Sequence, residues 1–397
     1  MAERHHILVL NSISPHGLKR FPGARYVVGP HVADPEAILV RSHNMLKMEI
    51  PATVRAIGRA GAGTNNIPVE AMSRRGVPVF NTPGANANAV KELVLAAMLM
   101  AARNLVPAIR FTDGLNGDDA TLHKLVEEGK KQYAGFELPG RTLGVVGLGA
   151  IGSLVADAAI KLGMKVVGYD PEITVDAAWS LPSQVRKAHS LEDLLKAADF
   201  VTLHVPLLEA TRNLIDTARV HKMKPGSVLL NFARDGIVDP EAVLAGFAEE
   251  RLRYFLTDFP HARLQHHPRV VALPHLGAST GEAEENCAAM AVDQVMDYLE
   301  NGNIVNAVNF PSVVMPRESA FRIAVANRNV PNMVGQISTA MARAGLNIHN
   351  MLNKSRGEIA YTVVDLDSAP PAPVIEEISA IPGVLCVRYL PAEKGET

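Results

Sequence analysis

Thr142-Leu-Gly-Val-Val-Gly147-Leu-Gly-Ala-Ile-Gly152, followed by a helical stretch to Leu162, then Gly163 and Lys165-Val-Val-Gly-Tyr-Asp170, decides the fold. A short apolar strand, a G-x-G-x-x-G turn, a helix closed by glycine and a second strand make one βαβ unit of about 30 residues. The glycine pattern alone is weak, because glycine turns are common; the strand before it and the helix after it give it meaning. In that setting Gly147 makes the tight turn, Gly149 lets a pyrophosphate approach the backbone, and Gly152 lets helix and strand pack closely. Free N–H groups and the positive dipole end of the helix then hold the phosphates. Asp170 ends the second strand, at the spacing where a carboxylate accepts both ribose hydroxyls and repels a 2′-phosphate, so NAD is favoured over NADP. The plain alternative is that Asp170 only opens a turn with Pro171.

Short apolar runs alternate with helical patterns on both sides of this unit, which predicts a parallel sheet of the doubly wound α/β class. Strands are expected at Phe200–His204, Ser227–Asn231, Tyr254–Thr257 and Val270–Leu273, and Asp239-Pro240-Glu241 opens a helix with Asp as cap and Pro in the first turn. Turn-rich breaks stand at Asn81-Thr-Pro-Gly84, at Pro139-Gly140 and at Asn309–Pro316, the last reading as an interdomain linker. From Phe321 the pattern is strand (Phe321–Ala326), helix (Met333–Ala344), strand (Ile348–Lys354), strand (Ala360–Asp365), helix (Val374–Ala380) and strand (Val384–Tyr389), the βαββαβ order of a ferredoxin-like module.

A chain of 397 residues suits two or three domains. Lys+Arg 39 against Asp+Glu 41, net charge −2, with no long basic run, argues against a nucleic-acid partner. The longest apolar stretch, Leu93 to Ala102, is about half of the ~20 residues that a membrane span needs, so it reads as a buried helix. Met1 to Leu10 lacks the apolar region of a signal peptide, and Cys287 and Cys386 stand far apart, so a reduced cytoplasmic setting is expected. His5-His6 and His266-His267 point to opposite sides of an extended chain, and no metal site is expected from them.

Hydride transfer from an alcohol needs a group that takes the hydroxyl proton and a cation that holds a carboxylate and polarises the forming carbonyl. Arg234 follows the strand Ser227–Asn231 and His275 follows Val270–Leu273. Both stand at carboxyl ends of strands, where the crevice of a doubly wound sheet lies. Taken singly, Arg234 reads as a solvated loop charge and His275 as a hydrogen-bonded core histidine; beside a nucleotide motif the pair points to chemistry.

Asn231-Phe-Ala-Arg-Asp-Gly-Ile-Val-Asp239 and Pro274-His-Leu-Gly-Ala-Ser-Thr280 resemble two signatures of the D-isomer-specific 2-hydroxyacid dehydrogenases. Ile57-Gly-Arg-Ala-Gly-Ala-Gly63 and Asn81-Thr-Pro-Gly84 resemble that family's substrate-domain loops, and the similarity spans nearly the whole chain. The resemblance implies a discontinuous flavodoxin-like substrate domain (1–88 and 283–312), an NAD-binding Rossmann domain (89–282) and a regulatory ACT module (318–392). It implies that Arg234 binds the substrate carboxylate and 2-oxygen and that His275 is the acid/base. It implies further that Asp258 holds the nicotinamide carboxamide, and that Ala150, Ile151, Val205, Phe232, Ala233 and Gly277 join the glycine loop around NAD. Arg41, Ser42, Arg59 and Gly61 would receive the substrate; the two guanidinium groups suit a phosphorylated 2-hydroxy acid, although exposed arginines also form ordinary surface ion pairs.

One departure stands out. The family places a glutamate after a Phe-Pro pair, hydrogen-bonded to the catalytic histidine; here the stretch is Asp258-Phe-Pro-His-Ala-Arg263, and Ala262 occupies that position. No Glu lies between Glu250 and Glu282, so either another group orients His275, such as His261 or a residue distant in sequence, or the imidazole works less well. A sensor that kept the fold and lost turnover is the alternative from a different class. In the C-terminal module the resemblance implies Asn327, Asn329 and Asn347 as effector contacts, with L-serine as the effector, although Asn329 before a helix is also an ordinary cap. A small sheet with a free edge further implies a homo-oligomer, a dimer or tetramer.

Overall fold

The computed structural model describes residues 4–392. It divides into two compact units, Met1–Ala85 with Gly281–Thr397, and Asn86–Thr280.

The first unit holds a parallel five-stranded sheet built from β1 (His5–Leu10), β2 (Tyr26–Gly29), β3 (Ala37–Val40), β4 (Ala56–Arg59) and β5 (Val79–Phe80). Its order, β2-β1-β3-β4-β5, is the flavodoxin-like one. Strands buried on both faces read as continuous apolar runs, and Ala37-Ile-Leu-Val40 is such a run. Ile38, Val40 and Ile57 fill one side; Ile7, Val9 and Leu39 on the other meet the long helix Gly281–Asn301 through Ala288, Ala291 and Val295.

The second unit holds β6 (Thr142–Val146), β7 (Lys165–Tyr169), β8 (Arg186–Lys187), β9 (Phe200–Leu203), β10 (Ser227–Asn231), β11 (Leu252–Thr257) and β12 (Val270–Ala272). All pairings are parallel, in the order β12-β11-β10-β9-β6-β7-β8, so the strand order reverses between β6 and β9. A doubly wound sheet binds its ligand at that reversal, beyond the carboxyl ends of the strands. The apolar stretch within Leu93–Ala102 lies on the helix Ala87–Ala102, which buries Val90, Val94, Ala97 and Met98. No single helix among the described residues is long and apolar enough to cross a membrane.

The C-terminal stretch of the first unit forms an antiparallel sheet of β13 (Phe321–Arg328), β14 (Ile348–Arg356), β15 (Ile359–Leu366) and β16 (Val384–Pro391), in the order β14-β15-β13-β16. With the helices Met333–Arg343 and Ala372–Ser379 this is the ferredoxin-like arrangement, and it fits an ACT-like domain. Side chains alternate across it. Ile323, Val325, Val364 and Leu366 face the two helices. Ala324, Ala326, Tyr361 and Val363 share the core of the five-stranded sheet and its long helix. Asn309–Pro316 is therefore no exposed tether: Phe310, Val313 and Met315 are buried, and Val313 pairs with Ile304. Its prolines and small polar residues mark irregular backbone, which here is covered.

Arg322 and Asp365 are wholly buried in that shared core. The guanidinium donates to both carboxylate oxygens at 2.6 and 2.8 Å and to the carbonyls of Asn301, Met315 and Pro316. Arg388 donates to the carbonyls of Tyr298 and Leu299. Carbonyls at a helix C-terminus lack partners within the helix, and these arginines supply them.

Candidate active site

The loop from β6 into the helix Ala150–Lys161 has the geometry that the glycines predict. Gly147 has φ 88°, in the left-handed region, and a Cβ there would sit 2.5 Å from the carbonyl oxygen of His204. A Cβ at Gly152 would run into the carbonyl oxygen of Gly147, whereas Gly149 faces open space, the room that a pyrophosphate needs. Gly149 and Ala150 are exposed, and Ile151 is half-buried. Asp170 does two things: one oxygen accepts from the N–H of Leu148 at 2.8 Å and the other from Glu172 at 3.0 Å. The turn and the brace on the glycine loop thus coexist, and each oxygen keeps further acceptor capacity.

Val205 follows β9 beside Gly147. Phe232 and Ala233 follow β10 and are buried, Phe232 in the apolar core and Ala233 against the opposite side of the sheet. Asn231 shapes this turn: its Oδ1 accepts from the N–H of Ala233 at 3.2 Å and its Nδ2 donates to the carbonyl of Arg234 at 2.9 Å. The Arg234 guanidinium donates one N–H to the carbonyl of Ala233 at 2.6 Å, which leaves its remaining donors. Sequence reading names Arg234 and passes over Asn231, the residue that holds its backbone.

Asp258 follows β11 directly and is 1 % exposed. Its Oδ2 accepts from the N–H of Gly277 at 3.2 Å and its backbone carbonyl from the N–H of His275 at 3.0 Å, so the loop after β12 folds onto this one residue. Oδ1 is buried with no partner among the described residues. Burial raises the Asp258 pKa, against the opposing pull of the Gly277 N–H and of the nearby His275 and Arg234 charges. A buried acceptor without a donor is rare in folded proteins, and an amide donor of a bound molecule would satisfy it. The open space at Gly149 and this orphaned oxygen both fit a dinucleotide.

His275 is exposed and holds φ 44°, unusual for a residue with a side chain and a sign of a constrained site. No carboxylate hydrogen-bonds its ring among the described residues; the Phe259 ring meets it edge-on at 4.9 Å between centroids. Ala262 is exposed, and His261 accepts the N–H of Arg263 within its own turn at 3.3 Å. Among the described residues His261 makes no hydrogen bond to His275, and the ring beside His275 is that of Phe259.

His204 is a second residue that sequence reading misses. Its imidazole Nε2 is 2.9 Å from the Thr202 hydroxyl, Nδ1 is buried without a partner, and burial pushes its pKa down to about 3. The only signal in the sequence is a histidine closing an apolar strand that leads into Val205.

In the first unit, Asn66 gathers the proposed substrate loops. Its Oδ1 accepts from Nε of Arg59 at 3.2 Å and its Nδ2 donates to the carbonyls of Arg41 and His43 at 3.2 and 2.7 Å. Gly61 has φ 149°, and a Cβ on it would collide with the Arg59 guanidinium. Ser42 accepts a long hydrogen bond from Asn11 at 3.5 Å. Arg41 forms an ion pair with Glu284 at 2.8 Å. The effector candidates are not brought together: Asn329 follows the rung Arg328–Ile359 and donates to the carbonyl of Gly357, whereas Asn347 precedes the rung Ile348–Leu366 and donates to Asp367. These rungs are the two ends of the sheet. Asn327 is buried and donates to the carbonyl of Arg328.

Comparison with known proteins places this geometry. The family described as "D-isomer specific 2-hydroxyacid dehydrogenase, NAD binding domain" matches residues 95–277. The D-3-phosphoglycerate dehydrogenase of Haemophilus influenzae is 32% identical over 363 residues, 88% of this chain and 85% of that one. The enzyme of the same name from Escherichia coli K12 is 32% identical over 348 residues, 84% of this chain and 81% of the other. Among solved structures, the NAD+-bound 3-phosphoglycerate dehydrogenase of Entamoeba histolytica superposes with TM-score 0.58 at 26% identity, covering 77% of this chain and 99% of that one. The chain belongs to the D-isomer-specific 2-hydroxyacid dehydrogenases. It is an NAD-dependent oxidoreductase, akin to enzymes named D-3-phosphoglycerate dehydrogenase.

Proposed function

We propose that this enzyme oxidises 3-phospho-D-glycerate to 3-phosphooxypyruvate, the entry step of L-serine synthesis. The observation that carries the reading is the pair Arg41 and Arg59, tied to one another through Asn66. A phosphate monoester needs such planar, multiply donating cations, and relatives of this length bear that name. Arg234 binds the carboxylate and the 2-oxygen. His275 takes the hydroxyl proton as the C2–H bond gives up its hydride. NAD, when bound, accepts that hydride. Asp258 holds the carboxamide on its free oxygen, Asp170 takes the ribose hydroxyls, and the turns at Gly147–Gly152, Val205, Phe232–Ala233 and Gly277 enclose the cofactor.

The ion pair between Arg41 and Glu284 favours a second reading, a D-2-hydroxy acid with a less charged tail, because the carboxylate already offsets one guanidinium. The C-terminal module is proposed to pair with that of a second copy. The opposite placement of Asn329 and Asn347 means that an L-serine touching both needs two chains. NADH absorbance across a panel of 3-phospho-D-glycerate, D-glycerate and D-lactate tests the substrate. A kcat/KM about 10–150-fold higher for the phosphorylated acid is expected, since loss of a charged hydrogen-bonded group costs about 1.5–3 kcal/mol. Equal or higher values for D-lactate would overturn it.

A further inference from the structure

Ile359 pairs across the sheet with Arg328 on one side and Arg356 on the other. Directly opposed residues project from the same face, so the two arginines flank Ile359 about 10 Å apart, two strand spacings. Alternation along β13 puts Arg328 on the side of Arg322, the side packed against the five-stranded sheet and its long helix. Between this rung and the helix Val69–Arg74 lies a cavity of about 870 Å³, lined also by Arg74 and Asn329, with Val308, Ile359 and Leu385 as its apolar part. That volume is in the range of small-molecule sites.

The cations differ from their buried neighbours. Arg322 and Arg388 are engaged with Asp365 and with backbone carbonyls. Arg356 gives one N–H to the carbonyl of Ala307, and the Arg328 side chain makes no hydrogen bond or ion pair among the described residues. Arg74 faces Glu70 at 3.9 Å in an exposed pair, a weak contact. Three guanidinium groups thus share one cavity with two carboxylates, Glu70 and Glu358. The uncompensated charge and the planar donors call for an anion, and the apolar wall calls for a carbon stem.

We propose that this cavity binds a small organic dianion, two negative groups on a short apolar stem, between the two sheets of this unit. None of its arginines is one assigned above to hydride transfer or to substrate. The ligand is recognised by Arg328 and Arg356 from the sheet and by Arg74 from the helix, with Glu358 opposing it.

Isothermal titration of the full chain, saturated with NADH, tests this with succinate and glycerol 2-phosphate as dianions and acetate as the monoanion. Succinate is expected to bind at least about tenfold more tightly than acetate, and the double variant R328Q/R356Q to weaken succinate by about tenfold or more, as loss of charged hydrogen bonds does. Its dehydrogenase activity without added anion should stay unchanged. Glu358→Gln, at an exposed turn, should tighten succinate several-fold, a readout independent of the double variant. Glycerol 2-phosphate bound as tightly as succinate and weakened equally by R328Q/R356Q supports a site for dianions in general. Succinate and acetate isotherms that superpose, or anion binding that both variants leave unaltered, would overturn the proposal.

Discussion

Asp258 and Asp365 are both carboxylates buried almost completely, one at the carboxyl end of the seven-stranded sheet and one in the four-stranded sheet. Asp365 has both oxygens on Arg322, which itself is satisfied by three carbonyls. Asp258 has one backbone N–H on Oδ2 and nothing on Oδ1 among the described residues. Closed networks of this kind hold architecture, whereas a buried polar atom left open calls for an explanation, and at Asp258 the cofactor contact proposed above supplies one. The same contrast separates Arg322 from Arg234, whose guanidinium makes one hydrogen bond among the described residues, to the carbonyl of Ala233.

The largest expected effect falls on the open side. His275→Asn should lower turnover by about 10²–10⁴-fold, the usual worth of a general base, while NADH affinity by fluorescence titration stays within about twofold. Turnover retained within a few-fold would place the proton acceptor elsewhere. On the closed side, Asp365→Ala strands the buried Arg322 charge and should cost about 3–5 kcal/mol of stability in urea unfolding. A loss below about 1 kcal/mol would show that the network is not needed for the joint between the two sheets.

The acid response of the nucleotide unit is smaller. With the His204 pKa at about 3 when folded and 6.5 as its ordinary value, the unfolded chain binds more protons between those values, so stability rises with pH across that window. Moving from pH 7 to pH 5 should remove about 2 kcal/mol from this group, and His204→Gln should flatten that slope. Parallel slopes for both forms would contradict a buried neutral imidazole. Smallest is Ala262→Glu, which offers His275 the carboxylate it lacks and favours its protonated form. Carbonyl reduction needs that form, so its activity should extend about one pH unit higher. Superposed pH profiles would mean that the loop does not bring the new carboxylate to the ring.

The glycine loop and Asp170 are legible in the sequence because each follows from a backbone or charge requirement acting within about 30 residues. So are the parallel sheet of the nucleotide unit and the ferredoxin-like module, which follow from alternating βα patterns and a βαββαβ run. What stays hidden depends on distant parts of the chain. Arg322 meets Asp365 across 43 residues and Arg388 reaches back 90 residues to Tyr298, so nothing local marks either as buried. Asn309–Pro316 reads as a linker because proline and small polar residues report turns, and they say nothing of what covers them. The absence of a glutamate at Ala262 is plain, whereas the contact of the His275 ring with the edge of Phe259 depends on how two loops meet.

The open carboxylate is the centre of the account, and Asp258→Ala tests it directly when NADH affinity and unfolding free energy are measured on the same preparation. NADH binding should weaken by about 10–100-fold, the worth of a charge-assisted hydrogen bond, while stability changes by less than about 1 kcal/mol because removing the carboxylate also removes its burial penalty. Unchanged NADH affinity together with a loss of several kcal/mol, the behaviour expected of Asp365, would show that Asp258 is architecture and that the cofactor is held elsewhere.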